Sequence, residues 1–523
     1  METKPRPFYI PLSYFLAVTP ATRRAWKHRS DATPFIASGP ACTDTRHKKG
    51  MTQSSHIHRP GTESLVVLWS VIDWGRVRRQ VEQAQCAIAE AAAKRDLAKI
   101  EELQEALVHS LLARMLAVHT VSQNRGSRTA GIDGERWTTQ EELFAGVFAI
   151  ETDEYRSCPL RRIYIPKGTG DELRPISIPT LDDRVVQTLY ALALQPVAET
   201  WADRCSFGFQ RGRSAKDACA CVRYCLGRRS SPGWVLEGDI RNCFDTISHE
   251  WLCRNIPMNQ KVLTEVLKAG YLEHGEVSPT EAGVPQGGPL SPFLANMALD
   301  GMENLLNAAF KRKKVHLARY ADDFIVTADT EATAHKVMNT IASFLAERGM
   351  ALSDEKTKIT RVSDGFDFLG WHFNKSRGDL VVAPTARSVE RVQERIRTTI
   401  HAHRDSDPDP LIGNLNLIVR SWCSYHNHIR PRETFEALDR FLADELAGWK
   451  EHGRSAGRQA SLKPPRMGDA GEGQSPGSTN RLTRFSETPY RPHPYSSGGI
   501  NPYLNPVSLS EKSSRQEPDF LVL

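Results

Sequence analysis

The sequence predicts an α+β fold, because strand-like runs and long helical stretches occupy different parts of the chain. Two short apolar runs, 315–318 and 324–326, flank a pair of acidic residues and are typical of a β-hairpin. A third strand-like run, 234–240, includes a single aspartate near its end. Helical periodicity dominates residues 74–119 and 411–449. The strands therefore lie between two helical regions in the sequence.

The two helical regions have recognisable apolar faces. The first face is expected to comprise Ile88, Ala92, Leu97, Ile100, Leu103 and Leu107. The second region has its predicted core at Trp422, Tyr425, Phe435, Leu438, Phe441 and Leu442. Residues 1 to about 60 mix Pro, Arg, Ser and His with little periodicity, so this part is predicted to be a poorly ordered extension. After Trp449, Gly, Pro, Ser and Arg dominate, and disorder is predicted there.

The acidic pair Asp322-Asp323 is the first candidate for chemistry. Taken alone it fits an ordinary turn as well as a metal site, because Asp favours turns. Asp239, at the end of the third strand-like run, changes this balance. If that strand lies beside the hairpin, the three carboxylates suffice for two Mg²⁺ ions about 4 Å apart. Without cations they would repel one another strongly.

Short motifs in a fixed order extend over about residues 70–445. They lie at 124–127, 129–134, 162–167, 174–180, 206–214, 239–244, 283–292, 319–324, 352–357 and 366–371. This ordered set resembles the blocks of reverse transcriptases, and most closely those of bacterial group II intron-encoded reverse transcriptase/maturases. Chance agreement of so many ordered motifs is negligible.

The resemblance implies a right-hand polymerase with fingers, a palm with an antiparallel sheet, and a helical thumb or maturase (X) domain. The expected divisions are a poorly ordered extension at 1–60, a helical N-terminal region of the fingers at 61–135, fingers and palm at 136–380, the thumb at 381–450, and a low-complexity tail at 451–523. The DNA-binding region and the endonuclease domain of many relatives are not recognisable, so cleavage of a target strand is not expected. A truncated or frameshifted reading frame is one explanation.

The resemblance also assigns roles to the acids. Asp239, Asp322 and Asp323 would be catalytic and would hold two Mg²⁺ ions, with Mn²⁺ as a substitute and the Ile240 carbonyl assisting. Phe244 would lie under the sugar and clash with a ribose 2′-hydroxyl, which predicts deoxynucleotide substrates and disfavours an RNA-dependent RNA polymerase. A core phenylalanine is the alternative.

Further candidates would contact the nucleotide or the nucleic acid. Lys167 and Arg174 flank a Gly-Thr-Gly-Asp turn, so both cations could reach one triphosphate, although two solvated cations are the alternative. Gln286 would contact substrate or template. Tyr320 would press on the primer end or simply pack in the protein, and Lys356 is expected to bind nucleic acid.

The formal charge of +6 is only mildly basic, so an RNA-binding surface must be local. Arg387, Arg391 and Arg395 recur every four residues and share a helix face. Phosphate binding would suit them, whereas a solvated helix face is the ordinary explanation.

Ten cysteines are scattered without paired Cys-x-x-Cys motifs, which predicts reduced thiols in the cytoplasm rather than disulfides or a zinc ribbon. Cys219, Cys221 and Cys225 are expected to be packing residues. His426 and His428 are expected to be surface or packing residues, because no cysteine or carboxylate completes a metal site.

The expected function is RNA-directed DNA synthesis for a group II intron, with intron RNA binding, splicing and retrohoming. The expected partners are intron RNA, an RNA template, a DNA primer or target and dNTPs, with no membrane and an open oligomeric state. A domesticated reverse transcriptase in defence or repair is an alternative. A splicing-only maturase is weaker, because such chains can lose the acids and all three are present.

Overall fold

The computed structural model describes residues 69–166, 173–311, 314–405, 408–455, 481–495 and 501–505. Within these ranges the chain forms two compact units. The first unit draws on residues 69–201, 244–298 and 501–505, and the second on 202–243 and 299–495. No helix in the described ranges is long and apolar enough to cross a membrane.

The secondary structure is mixed, as the sequence predicts. The helices are, in chain order, α1 (Trp74–Ala93), α2 (Leu97–His109), α3 (Leu111–Gln123), α4 (Gln140–Ala149), α5 (Leu181–Trp201), α6 (Ala215–Leu226), α7 (Cys243–Thr246), α8 (His249–Asn255), α9 (Gln260–Leu267), α10 (Ser291–Leu299), α11 (Met302–Ala309), α12 (Glu331–Ala346), α13 (Ala386–Ala402), α14 (Pro408–His426) and α15 (Arg432–Ser455). The strands are β1 (Leu160–Pro166), β2 (Leu173–Ile178), β3 (Trp234–Gly238), β4 (Tyr271–Glu273), β5 (Glu276–Ser278), β6 (Leu317–Tyr320), β7 (Asp323–Ala328), β8 (Lys358–Arg361), β9 (Phe366–Phe368), β10 (Trp371–Ser376) and β11 (Asp379–Pro384).

The first unit is built around the buried helix α5, against which α1, α2 and α3 pack. The predicted helical stretch 74–119 is confirmed, but it breaks into three helices. Asp73 and Asp96 cap α1 and α2 by accepting backbone N–H groups at 3.0 Å. Most of the predicted apolar face is buried, whereas Leu97 is 59% exposed because it occupies the first turn of α2.

The sheet of the first unit has the order β2-β1-β4-β5. Strands β1 and β2 form an antiparallel hairpin in which Ile165 lies opposite Arg174. Strand β1 also pairs in parallel with β4. This places Arg174 near the end of the hairpin at which β1 is followed in the chain by β2.

The second unit contains a sheet of order β6-β7-β3-β8 in which every pair is antiparallel. The predicted hairpin is therefore confirmed as β6 and β7, and the third predicted strand is β3 between β7 and β8. Helix α6 packs on β6, and α12 packs on β3 and β7. The expected packing role of two cysteines is also confirmed, because Cys219 and Cys221 are fully buried in this core. A separate sheet of order β11-β10-β9 follows in the chain.

Helices α13, α14 and α15 enclose a separate apolar core, in agreement with the predicted second helical region. Phe435, Leu438 and Leu442 are buried there, and Trp422 and Phe441 pack against them. Tyr425 differs from the prediction. It is 37% exposed and stacks on the Trp371 ring at 4.5 Å instead of entering the helical core.

Residues 481–495 differ from the predicted disorder and pack within the second unit, and we call them the strap. Phe485 is fully buried in the core of the three helices. The Asp439 carboxylate accepts the backbone N–H groups of Phe485 and Ser486 at 2.7 and 3.0 Å. Asn416 accepts the Thr483 N–H at 2.6 Å. Side chains of the helices thus accept backbone N–H groups of the strap, which within the described ranges has no helix or sheet partner to satisfy them.

The far end of the strap reaches helix α6. His493 lies 2.8 Å from the Asp217 carboxylate, and Tyr495 stacks on Tyr224 with a centroid distance of 4.7 Å. Residues 501–505, also predicted to be disordered, pack on α5 in the first unit. There the Tyr503 hydroxyl hydrogen-bonds to Gln195 at 2.8 Å.

Replacing Phe485 with alanine should lower the free energy of unfolding by about 3–5 kcal/mol, because the change leaves a cavity in the core of α13, α14 and α15. Urea denaturation followed by tryptophan fluorescence measures this, since the Trp422 ring lies 5.7 Å from Phe485. Ser486→Ala is the matched control, because Ser486 is exposed and keeps its backbone bond to Asp439. A change below about 1 kcal/mol for Phe485→Ala would mean that the strap is not part of the folded core.

Stability should also fall in acid because of two buried histidines. Burial, and secondarily the charge of Lys216, lowers the pKa of His426 and of His428 to about 3. The unfolded chain protonates both near pH 6.5, so their stabilisation is complete above that value and is lost as the pH falls toward 3. The free energy of unfolding should drop by up to about 1.4 kcal/mol per pH unit for each histidine between pH 6 and 4. His428→Gln should reduce that slope, and an unchanged slope would contradict the assignment.

Candidate active site

The three predicted catalytic acids all lie in the second unit, at the ends of adjacent strands. Asp239 follows β3 directly, Asp322 lies in the turn between β6 and β7, and Asp323 is the first residue of β7. Gly238 pairs with Phe324 across β3 and β7, so continuing the register by one residue places Asp239 opposite Asp323. The sheet therefore brings Asp239 to the pair Asp322-Asp323, which lies more than 80 positions later in the chain.

The electrostatics of this cluster agree with its geometry. Partial desolvation by the surrounding protein, together with repulsion from Asp322 and Asp239, raises the pKa of Asp323 to about 6, while Lys356 opposes that rise. Carboxylates that repel one another in this way are stabilised by bound cations, and hard oxygen ligands suit Mg²⁺. The donor set therefore fits the divalent ions that the sequence predicts.

The backbone around Asp239 is fixed by the neighbouring strand-like segment. Its carbonyl accepts the Ser353 N–H at 2.8 Å, and Ile240, which is buried, forms a bridge with Leu352. Lys356 in the same segment has its Nζ 3.4 Å from an Asp239 carboxylate oxygen. The sequence did not indicate this ion pair, because only the folded sheet shows which acid Lys356 faces.

The turn that carries Asp322 has a backbone conformation uncommon for its residues. Tyr320 pairs with Asp323, so Ala321 and Asp322 form the two-residue turn, and Ala321 has a φ of +57°. Tyr320 is half-buried and packs against the core beneath the sheet. This contact agrees with the packing alternative for Tyr320 and leaves its proposed role at the primer end a prediction.

The nucleotide-binding candidates lie in the first unit. Arg174 Nε donates a hydrogen bond to Gln286 Oε1 at 2.9 Å, and Gln286 Nε2 donates to Asp245 at 3.2 Å. The Gln286 carbonyl accepts the Ser177 N–H at 2.8 Å. This network connects three elements, namely β2, α7 and the loop that precedes α10. It includes Asp245, for which the sequence predicted no role.

Phe244 begins the part of α7 that belongs to the first unit and is partly exposed. Its carbonyl accepts the Val284 N–H at 2.6 Å, so the glycine-containing loop holds its backbone. Because Phe244 is neither fully buried nor fully exposed, its role at the sugar and the alternative of a core phenylalanine both stay predictions. Lys167 lies outside the described residues.

The three predicted arginines of α13 are exposed on one face. Within the described ranges, no ion pair involves the side chains of Arg387, Arg391 or Arg395. The neighbouring Arg397 differs, since its Nε lies 3.0 Å from Glu445 and its guanidinium covers the Phe441 ring. The stripe of three arginines is thus available to phosphates, whereas Arg397 serves the packing of α13 on α15.

Glu105, His109 and Asp153 form another cluster, in the first unit, with the spacing of a metal site. All three are exposed. His109 uses one ring nitrogen on the Glu105 carbonyl at 2.9 Å and the other on Asp153 at 3.0 Å. These hydrogen bonds account for the cluster without an ion. Glu105 and His109 lie one turn apart on α2, whereas Asp153 follows α4, and only the fold shows that it is their neighbour.

Comparison with known proteins identifies three family matches. Residues 165–373 match the family described as reverse transcriptase (RNA-dependent DNA polymerase), residues 69–148 match the N-terminal domain of reverse transcriptase, and residues 389–463 match the group II intron, maturase-specific domain. The matches follow the predicted order of fingers, palm and thumb. The mixed fold with a polymerase palm is thereby confirmed, whereas the residue limits of the domains stay predictions.

Individual relatives agree with these matches. The chain is 31% identical to Protein YkfC of Escherichia coli (strain K12) over 319 residues, which is 51% of this chain and 83% of that protein. It is 27% identical to the group II intron-encoded protein LtrA of Lactococcus lactis subsp. cremoris over 368 residues, covering 56% of this chain and 61% of LtrA. It is 26% identical to an uncharacterized 91 kDa protein in the cob intron of Schizosaccharomyces pombe, covering 63% of this chain and 51% of that protein.

The predicted family is confirmed, although the alignment spans less than two thirds of LtrA. The reverse transcriptase block, its N-terminal domain and the maturase-specific domain occur together here. With these three domains in one chain, the protein belongs to the group II intron-encoded reverse transcriptase/maturase family.

Proposed function

We propose that this reverse transcriptase extends a DNA primer on an RNA template, using two Mg²⁺ ions held by Asp239, Asp322 and Asp323. The observation that carries the proposal is the meeting of three carboxylates at the ends of β3 and β7, where burial and then the two neighbouring carboxylates raise the pKa of Asp323. Repulsion among carboxylates costs free energy in an ordinary turn, whereas bound cations offset that cost at a metal site.

Asp239 and Asp322 would be the main ligands, with the Ile240 carbonyl assisting and Asp323 supporting. When bound, the two ions would activate the primer 3′-hydroxyl and stabilise the leaving pyrophosphate, and Mn²⁺ could replace Mg²⁺. The Lys356 ammonium, 3.4 Å from Asp239, would balance part of the negative charge and could also bind nucleic acid.

The first unit would contribute to nucleotide selection. Gln286 accepts from Arg174 and donates to Asp245, so the guanidinium is held in one orientation from which its remaining N–H groups could bind phosphate oxygens. Lys167 would add a second cation by its family position. Phe244 is partly exposed, as a residue that excludes ribonucleotides must be.

The maturase role would use the arginine stripe of α13. Residues 389–463 match the maturase-specific domain, and Arg391 and Arg395 lie inside that range with Arg387 one turn earlier. These exposed guanidinium groups would bind intron RNA phosphates, which supports splicing and retrohoming as the biological setting. A splicing-only protein has no need of the three acids, so we favour the polymerase.

Asp322→Asn should reduce primer extension on an RNA template by at least about a hundredfold, because electrostatic stabilisation of phosphoryl transfer is lost. The measurement is single-turnover incorporation of one dNTP with Mg²⁺. Asp364→Asn is the matched control, since Asp364 is an exposed acid of the same unit outside the cluster, and it should stay within about twofold of the parent. Unchanged incorporation by Asp322→Asn would exclude the proposed metal site.

Replacing Arg387, Arg391 and Arg395 with glutamine should weaken binding of a labelled group II intron RNA and lower the slope of log affinity against log salt by about 2, since each phosphate contact contributes roughly 0.7–0.9. Filter binding between 50 and 300 mM KCl measures this. Arg397→Gln is the control, because Arg397 already pairs with Glu445, and its slope should match the parent. Equal slopes for all three proteins would show that the stripe is only a solvated helix face.

A further inference from the structure

We propose that Arg319 and Asp300 are positioning residues that hold the turn carrying Asp322 and Asp323 in the shape that binds metal. The inference rests on the proposed polymerase function and adds residues that do not touch substrate or metal. We call residues 320–323 the catalytic turn.

Arg319 is the residue just before the catalytic turn, and its side chain is fully buried. Its guanidinium forms an ion pair with the Asp300 carboxylate, whose side chain is 8% exposed. The same guanidinium donates from Nη1 to the carbonyl of Ala321 at 3.2 Å. The buried Arg319 side chain thus contacts both the Asp300 carboxylate and the backbone of the catalytic turn.

Asp300 is itself held in place by the chain around it. Its Oδ1 accepts the Asp203 N–H at 3.3 Å. The Asp203 carboxylate accepts the N–H groups of Gly301 and Glu303 at 3.0 and 3.1 Å. The carboxylate that faces Arg319 therefore belongs to a network that fixes the end of α10 and the start of α11.

The other side of the catalytic turn is closed by backbone. Arg319 donates its N–H to the Cys205 carbonyl and accepts the Phe207 N–H, both at 2.8 Å. A Cβ on Gly208 would lie 2.3 Å from the Ala321 nitrogen, so only glycine fits there. Residues 205–208 thus run beside Arg319 and leave the catalytic turn no free space on that side.

The conformation of Ala321 explains why such support is needed. Its φ of +57° is uncommon for a residue with a Cβ, and such backbone persists where the surroundings over-determine it. Asp322 follows Ala321 directly, so relaxation of this residue would move a metal ligand. The Arg319 hydrogen bond to the Ala321 carbonyl opposes that relaxation.

Stability alone does not account for a buried Arg–Asp pair. Removing two charges from water is costly, and apolar side chains of similar volume are often as stable or more so. An apolar pair would lack the donor to the Ala321 carbonyl, and that difference separates a positioning role from a purely structural one.

The test is single-turnover dNTP incorporation with a Mg²⁺ titration, using full-length protein. Arg319→Lys loses the forked guanidinium that contacts Asp300 and Ala321 together. Its maximal rate should fall about 10- to 100-fold, because small misplacements of catalytic groups slow the reaction by such factors. The Mg²⁺ concentration for half-maximal rate should rise several-fold, while the KM for dNTP should stay within about threefold of the parent.

The double variant Asp300→Leu/Arg319→Met guards against simple misfolding, because it removes both charges and keeps the volume apolar. It should match the parent in thermal midpoint yet retain the low rate and the raised Mg²⁺ requirement. Val337→Ala, a cavity change in α12 away from the catalytic turn, is the stability control and should keep the parental Mg²⁺ requirement.

The outcomes separate this proposal from the proposed function. A parent protein without incorporation would contradict the polymerase itself. An active parent together with a fully active double variant would overturn the positioning role alone. A raised Mg²⁺ requirement in Val337→Ala equal to that of Arg319→Lys would also overturn it, because general destabilisation would then explain both.

Discussion

The mutual repulsion of Asp239, Asp322 and Asp323 is the constraint that the fold of the second unit has to withstand. Three carboxylates stay close together only where rigid secondary structure holds them. Here that structure is a four-stranded antiparallel sheet with α6 and α12 packed on it. At the point where the acids meet, a Cβ on Gly238 would lie 2.1 Å from the Phe324 ring. The aromatic ring therefore fills the space beside β3, and the strands approach closely just before both acids project.

The division into two units separates functions that are adjacent in the sequence. Asp239 and Phe244 are five residues apart, yet the chain passes from the second unit to the first between Cys243 and Phe244. The three acids proposed as metal ligands belong to one unit, and Arg174, Phe244 and Gln286 belong to the other. Each group has its own network of supporting hydrogen bonds, so substitutions in one unit need not disturb the local geometry of the other.

The sequence predicted the acids, the hairpin and the helices because each depends on local patterns. Asp322 and Asp323 lie between two apolar runs, and the apolar residues of the helices recur with a helical period that is visible in the sequence itself. It did not predict the pairing of Lys356 with Asp239, or of Arg319 with Asp300, because these contacts join elements whose proximity only the sheet establishes. In the sequence, the buried Arg319 also looks like any other basic residue.

The strap shows why composition misleads in the tail. Residues 481–495 have no helical or alternating apolar pattern, and such segments generally cannot bury enough apolar surface to fold alone. The strap needs no core of its own, because Phe485 fills the core of α13, α14 and α15, and Asp439 and Asn416 satisfy its backbone. The strap is therefore ordered by its contacts with the three helices and not by a pattern in its own sequence. A segment of this kind is visible in a sequence only as isolated aromatic residues, and the apolar core of the three helices is complete only with the Phe485 ring in place.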